Sequence, residues 1–288
     1  MQHISTFSLV AYDPDIQAWG VAVASKFPAV GAVVPWVEAG AGAVATQSFA
    51  NTRFGPDGLE WMRNGMSAED ALGRLLQQDK QATQRQVGLV DAAGQAATFT
   101  GEGCYPWAGG RIGKHHALQG NILTGRETLE AMEAAYLTSE APFPERMLAA
   151  LLAGDRAGGD RRGKQSAALY IARAEAGYGG FNDRWIDYRV DDHPDPIPQL
   201  GSLLELHRLF FEKSAAEDEL PLTGEVLKAL IEMLEKLEYL PTGLRDREDA
   251  VQQALAAMIG NENFEDRTDL ERGVIDRPVY EYLQKKFG

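Results

Sequence analysis

Cysteine is almost missing from this chain of 288 residues: Cys104 is the single one, which excludes a disulfide framework within the chain. No apolar run approaches the roughly 20 residues needed to span a bilayer as a helix. Basic charge is scarce, with 28 Lys and Arg against 42 Asp and Glu. The resulting formal charge of −14 argues against nucleic acid or a membrane surface as the partner. A basic flank, an apolar stretch and a small-residue cleavage site are missing from the start of the sequence. No signal peptide is read there, and a cytoplasmic location is the expectation. Phosphate-binding loops of the Walker type, a strand-linked dinucleotide fingerprint and a G-x-S-x-G elbow around Ser166 are also lacking, so no cofactor is expected.

What remains is an ordinary globular composition, 44% hydrophobic and 24% charged, long enough to bury a substantial core without metals. "TFSLVAY" and "WGVAVAS" are β-rich runs joined by the turn residues "DPDIQA". "AVVPWVE" and "AVATQSF" form a second pair across "AGAG". Both pairs are apolar nearly throughout, which predicts strands covered on both faces. Two helical patterns follow. The second, "SAEDALGRLLQQD", opens with the capping box Ser67–Asp70 and sets Ala71, Leu72, Leu75 and Leu76 on one face. "RQVGLVD" and "AATFTGE" give another strand pair, helices are predicted near 125–138 and 143–153, and "QSAALYIARA" with "RWIDYRV" closes the series. Hairpins alternating with helix pairs predict an α+β fold, a four-layer αββα sandwich of two antiparallel sheets with helices outside. From about residue 197 the apolar spacing is helical, and no strand is predicted after Val190. Residues 1–214 are read as the sandwich domain and 215–288 as a small all-α domain.

Four stretches carry candidate chemistry. Thr6 heads the first strand; at a free N-terminus its hydroxyl could use the α-amino group, titrating near ~8, as base. If residues 1–5 stay attached, Thr6 merely begins a strand. Thr46, Gln47, Ser48 and Asn51 leave the fourth strand, where they suit a polar substrate or an oxyanion, or simply cap backbone groups. Residues 101–125 hold seven glycines and two aromatics, and read as a long shaped loop rather than a strand or helix. Within it, Cys104 reads as a packed thiol before a nucleophile. The adjacent His115 and His116 point different ways, and no metal is expected there. The fourth is Asp191, Asp192, His193 and Asp195. They could hold a divalent cation or supply acid–base groups, but they end a strand before prolines, where turn and cap chemistry is the simpler reading.

The runs from "TFSLVAYDPDIQAWGVAVASKFPAVGAVVPWVEAGAGAVATQ" through "RQVGLVD", "GNILTG", "AGGDRRGKQSAAL" and "RVDDHPDP" closely resemble the bacterial domain of unknown function 1028 family. The resemblance spans roughly residues 5 to 200. That family is placed in the N-terminal-nucleophile (Ntn) hydrolase superfamily, which implies the αββα fold and puts Thr6 at the nucleophile position. The opening is also similar to proteasome-type β subunits. There an Asp follows the second strand, where this chain has Ser25 and Lys26; the catalytic Lys of that pattern falls among apolar residues around Val33. The tail, through "NENFEDRTDLERGVIDRPVYEYL", resembles a peptidoglycan-binding domain.

The resemblance implies an Ntn-type amidohydrolase of a small amide-containing metabolite. Thr6 would be its nucleophile, Ser25 and Lys26 would tune the pair, and Thr46, Gln47, Asn51, Asp191 and His193 would face the small-molecule substrate. The other expectation is a non-catalytic ligand-binding or interaction protein on the same scaffold, for which the missing Asp and Lys speak. In either case the tail could mediate self-association into a homo-oligomer.

Overall fold

The computed structural model describes residues 6–288; Ser5 and the trimming of residues 1–5 lie outside the described residues. The chain divides into two compact units, one ending at Leu203 and the other spanning Leu204–Gly288. The division falls earlier than the expected 214/215 boundary.

The first unit runs β1 Thr6–Asp13, β2 Ala18–Ser25, β3 Pro35–Glu38, β4 Gly42–Ser48, α1 Phe54–Arg63, α2 Ala68–Gln78, β5 Arg85–Asp91, β6 Ala96–Thr100, β7 Gly109–Gly113, β8 His116–Asn121, α3 Glu127–Thr138, α4 Phe143–Arg156, β9 Ser166–Arg173 and β10 Arg184–Val190, and helix α5 Pro196–Phe211 begins in it. The fold is α+β, with two antiparallel sheets ordered β10-β9-β2-β1-β8-β7 and β3-β4-β5-β6.

The doubly apolar strands follow from what covers them. Val10, Val21 and Val23 of the large sheet pack with Val37, Ala43, Ala45 and Val90 of the small one. On the far side of the small sheet, Val44, Val87 and Leu89 meet Phe54, Leu59 and Met62 of α1 and Ala71, Leu72 and Leu75 of α2. Helices α3 and α4 contact the large sheet, α4 along β1, β2 and β9 and α3 along β8. Each fully buried Val or Leu in these layers stabilises the fold by about 1.5–3 kcal/mol. The Ser67 capping box forms as expected: its Oγ accepts from Asp70 N at 3.2 Å. Asp91 Oδ2, at the end of β5, accepts from Ala68 N at 2.9 Å, which ties the helix start to the sheet.

Two expectations are corrected. Residues 101–125 are not simply a loop, because they contain β7 and β8, and β8 lies beside β1 inside the large sheet. Its sequence, "HALQGN", hides the strand because Gln119 and Asn121 point into a polar layer between the sheets. The C-terminal unit is also not all-α. Besides α6 Gly224–Lys236, α7 Glu248–Asn261 and α8 Arg277–Phe287 it holds a three-stranded sheet, β11 Glu219–Pro221, β12 Thr268–Asp269 and β13 Val274–Asp276. Strands of two or three residues are too short to display a period of two. Leu230, Leu234, Leu255, Met258, Phe264 and Leu283 form the core of this unit. No helix among the described residues is long and apolar enough to cross a membrane.

Candidate functional site

The site grows from one end of the large sheet. Register pairs Thr6 with Ser25 on one side and with Asn121 on the other, and Ser25 in turn with Ser166. Directly paired residues share a face, so β9, β2, β1 and β8 present Ser166, Ser25, Thr6 and Asn121 as one row toward the small sheet. Thr6 Oγ1 donates to Ser25 Oγ at 3.3 Å, and both residues are buried. The Ser166 hydroxyl is committed to the backbone, donating to Phe27 O and accepting from Val30 N at 3.1 Å.

The small sheet answers with a row of its own, Gln47, Gln86 and Thr100, paired in register across β4, β5 and β6. Gln47 Oε1 accepts from Ser8 Oγ at 2.6 Å, and its Nε2 lies 2.9 Å from Gln86 Oε1 and 3.4 Å from Thr6 O. Gln86 Oε1 also accepts from Asn121 Nδ2 at 2.9 Å, while Gln86 Nε2 donates to Thr100 Oγ1 at 2.9 Å and Gly120 O at 2.7 Å. Gln119 Nε2 donates to Ser8 Oγ at 2.6 Å. Gly88 makes room for this: a Cβ there would sit 2.0 Å from Gln119 Oε1. A buried amide costs free energy unless it is bonded, and these side chains bond chiefly to one another and to strand carbonyls. The result is a cross-linked amide seam that joins the two sheets beside Thr6.

Beside the row, the turn after α4 adds a carboxylate. Asp160 is buried; its Oδ2 accepts from Lys26 N at 2.7 Å and from Arg162 Nη2 at 3.2 Å, and its Oδ1 accepts from Arg162 N at 2.9 Å. Arg162 Nη2 also reaches Lys26 O at 3.1 Å. Asp160 thus pins the backbone just beyond Ser25.

Ser25 and Gln47 lie beside Thr6. Lys26 does not: its side chain is exposed and Nζ donates to Lys164 O at 3.3 Å. Thr46 and Asn51 go elsewhere, because alternation along β4 turns Thr46 away from Gln47. Thr46 Oγ1 donates to Asn51 O at 3.2 Å, and Asn51 Nδ2 donates to Asp79 Oδ2 at 2.9 Å. Asn51 and Asp79 line a separate cleft of about 230 Å³ with Arg53, Phe54, Asp57, Leu75 and Gln78. Asp191 O accepts from Ala29 N at 2.8 Å, tying the segment after β10 to the one after β2, and His193 Nδ1 accepts from Asp195 N at 3.0 Å. No cluster of metal-ligating side chains occurs among the described residues. His115 and His116 diverge, His115 Nδ1 lying 3.0 Å from Gly94 O and His116 Nε2 3.4 Å from Glu133 Oε1.

Sequence reading missed Gln86, Gln119, Asn121 and Asp160. A signal for the first three exists: uncharged polar side chains in strands that are otherwise apolar on both faces. Asp160 sits in the turn "AGGDRRGKQ" and carries no periodic signal.

Cys104 is buried, with Sγ donating to Arg85 O at 3.4 Å, and burial pushes its thiol up. A maleimide is therefore expected to leave the native chain unlabelled over hours and to add one label in denaturant. Mass spectrometry reads the difference, and rapid native labelling would show the thiol to be accessible and reactive.

Three comparisons bear on kinship. Residues 6–200 match the model described as "Family of unknown function (DUF1028)", and residues 210–283 match the one described as "Putative peptidoglycan binding domain". The crystal structure of protein SPO2555 from Silicibacter pomeroyi, assigned to the same DUF1028 model, is similar at 32% identity and a TM-score of 0.65, covering 71% of this chain and 86% of that one. Anbu, an ancestral β-subunit from Yersinia bercovieri, aligns at 9% identity and a TM-score of 0.33, covering 69% of this chain and 96% of that one. Among curated proteins none matches. On the match over residues 6–200 and the identity with SPO2555, the chain belongs to the family of unknown function DUF1028.

Proposed function

We propose that the first unit is an Ntn-type αββα sandwich and that it hydrolyses a small amide, with Thr6 as nucleophile once the five residues ahead of it are removed. The observation that carries the reading is the Thr6 hydroxyl on the inter-sheet face, at the head of its strand, 3.3 Å from Ser25 Oγ. The freed α-amino group takes the hydroxyl proton, and Oγ1 attacks the amide carbonyl. Collapse releases the amine and leaves an acyl ester on Thr6, which water then hydrolyses. Gln47 Nε2 and Asn121 Nδ2 lie in the seam beside Thr6, where both donate to Gln86 Oε1; turning one of them toward the substrate carbonyl would supply the oxyanion donor. Ser25 orients the hydroxyl. The ammonium of Lys26 is too far engaged elsewhere to tune it, so Asp160, by fixing Lys26 N, acts on backbone position.

The test is intact mass of protein purified from its native host, paired with an amidase panel on wild type and Thr6→Ala. The expected result is a chain beginning at Thr6 and at least a 1,000-fold loss in the variant. Full activity in chains that keep Met1 or Gln2 would overturn the free-amine mechanism.

One observation favours the second reading, a ligand-binding scaffold without catalysis: the exposed Lys26 side chain bonds to Lys164 O. That reading expects Thr6→Ala to change no turnover. For the second unit, wall-polymer binding is likewise a proposal that rests on the domain model alone.

A further inference from the structure

Strand β10 is an edge of the six-stranded sheet, and its sequence is complementary to itself. We propose that a second copy of this chain pairs antiparallel along the outer edge of β10, about a two-fold axis at Tyr188, joining two six-stranded sheets into one.

Charge selects the register. With the axis at Tyr188, Asp187 of each copy lies opposite Arg189 of the other, and Ile186 opposite Val190. Opposite charges directly across an antiparallel pair are favourable and like charges are not. An axis at Asp187 would instead set carboxylate against carboxylate. Asp187 and Arg189 are both exposed, and their contacts within the chain are weak ones: Asp187 Oδ2 lies 3.2 Å from Arg184 Nη1, and Arg189 Nε lies 3.8 Å from Asp191 Oδ1. On the opposite face Ile186 and Val190 are buried, so the partner would continue an apolar layer already in place.

The other edge strands of this unit lack these features. β3 begins at Pro35, which has no N–H to donate; β6, "AATFT", carries no charge; and β7, "GGRIG", is mostly glycine. The turn leading into β10 adds a second argument. Tyr178 and Phe181 are 82% and 91% exposed there, an apolar area that a soluble chain ordinarily covers. In an antiparallel pair each such tip runs past Val190 of the other copy.

Sedimentation equilibrium of the full chain between about 1 and 100 μM tests the proposal. Wild type is expected to be a dimer. Asp187→Arg and Arg189→Asp, each placing like charges opposite, are expected to weaken association at least tenfold, and the doubly substituted chain to regain it. A monomeric wild type, single variants that associate like wild type, or a double variant that stays monomeric would each overturn the register. Tyr188→Cys provides a readout independent of charge and of the single variants' folding. Directly opposite residues of an antiparallel pair have Cα atoms about 4.5–5.5 Å apart, within the span a disulfide bridges. Mild oxidation is expected to give a covalent dimer, with the wild type, which has only buried Cys104, as control. No covalent dimer from a folded Tyr188→Cys chain would count against the axis.

Discussion

Replacing Arg267 by methionine is expected to destabilise the C-terminal unit by ~3–5 kcal/mol, the usual cost of removing one partner from a buried ion pair. The Arg267 side chain is 2% exposed and pairs through Nε with Asp276 Oδ2. Its Nη1 donates to Arg208 O at 2.8 Å and also to Leu209 O, and Nη2 reaches Ser214 Oγ at 3.3 Å. One guanidinium therefore serves the last turn of α5, the segment after it and the end of β13. Arg208 O also accepts from Glu212 N at 3.2 Å, while Leu209 O sits in the last turn of the helix, where carbonyls run short of intrahelical donors. Methionine fills much of the volume but leaves the carboxylate of Asp276 buried and takes a donor away from the Leu209 carbonyl. Hydrogen exchange of residues 204–288 is the direct measure, with protection expected to fall more than 100-fold. In Arg267→Met with Asp276→Leu, where both charges leave together, most of the protection should return, since pair removal is far cheaper than orphaning one charge. A drop below tenfold in the single variant would show that the pair is not what holds these elements.

How much of this was legible in the sequence depends on the physical signal each part emits. The apolar runs of β1, β2 and β4 announced layers on both faces, and the Ser67 box announced the start of α2. β8 escaped because its inward side chains are amides rather than aliphatics, so the run scores as loop although it is fully buried. The three short strands of the C-terminal unit escaped because none is long enough to alternate. At the site, Ser25 enters the sequence reading through the family resemblance, together with Lys26, and it is the β1–β2 register that pairs it with Thr6. Gln86 and Asn121 come from distant strands, and only the observed register brings them there. Lys26 shows the opposite failure. One residue past Ser25 the chain has left the sheet, so adjacency in sequence no longer means a shared face. Thr46 and Gln47 show the same limit inside a strand, where consecutive side chains part to opposite layers.

Asp79→Ala is expected to cost ~3–5 kcal/mol, and Asp79→Asn nearly as much, because either change leaves Arg85 charged and buried. The two side chains are 8% and 7% exposed, with Arg85 Nε 2.7 Å from Asp79 Oδ2. Asp79 also accepts from Asn51 Nδ2 at 2.9 Å and from Gln81 N at 2.8 Å, while Arg85 Nη1 donates to Phe49 O. The pair thus joins the end of α2, the start of β5 and the segment that leaves β4 below Gln47. Burial alone would push the Asp79 carboxyl up, but the hydrogen bonds from Arg85, Asn51 and the Gln81 amide outweigh it and lower it from 3.8 to about 2. A carboxyl held lower in the fold than in the unfolded chain stabilises at pH values above its unfolded pKa. That contribution, ~2 kcal/mol for a shift of this size, fades as pH falls from about 4 through about 2. Urea unfolding at closely spaced pH values in that window, on wild type and Asp79→Asn, separates this carboxyl from all others, since they titrate alike in both chains. The stability gap between the two should be constant above pH 5 and narrow by ~2 kcal/mol toward pH 2. A gap independent of pH would mean that Asp79 carries the same charge, in the same surroundings, folded and unfolded, and that the Arg85 pair does not form in solution.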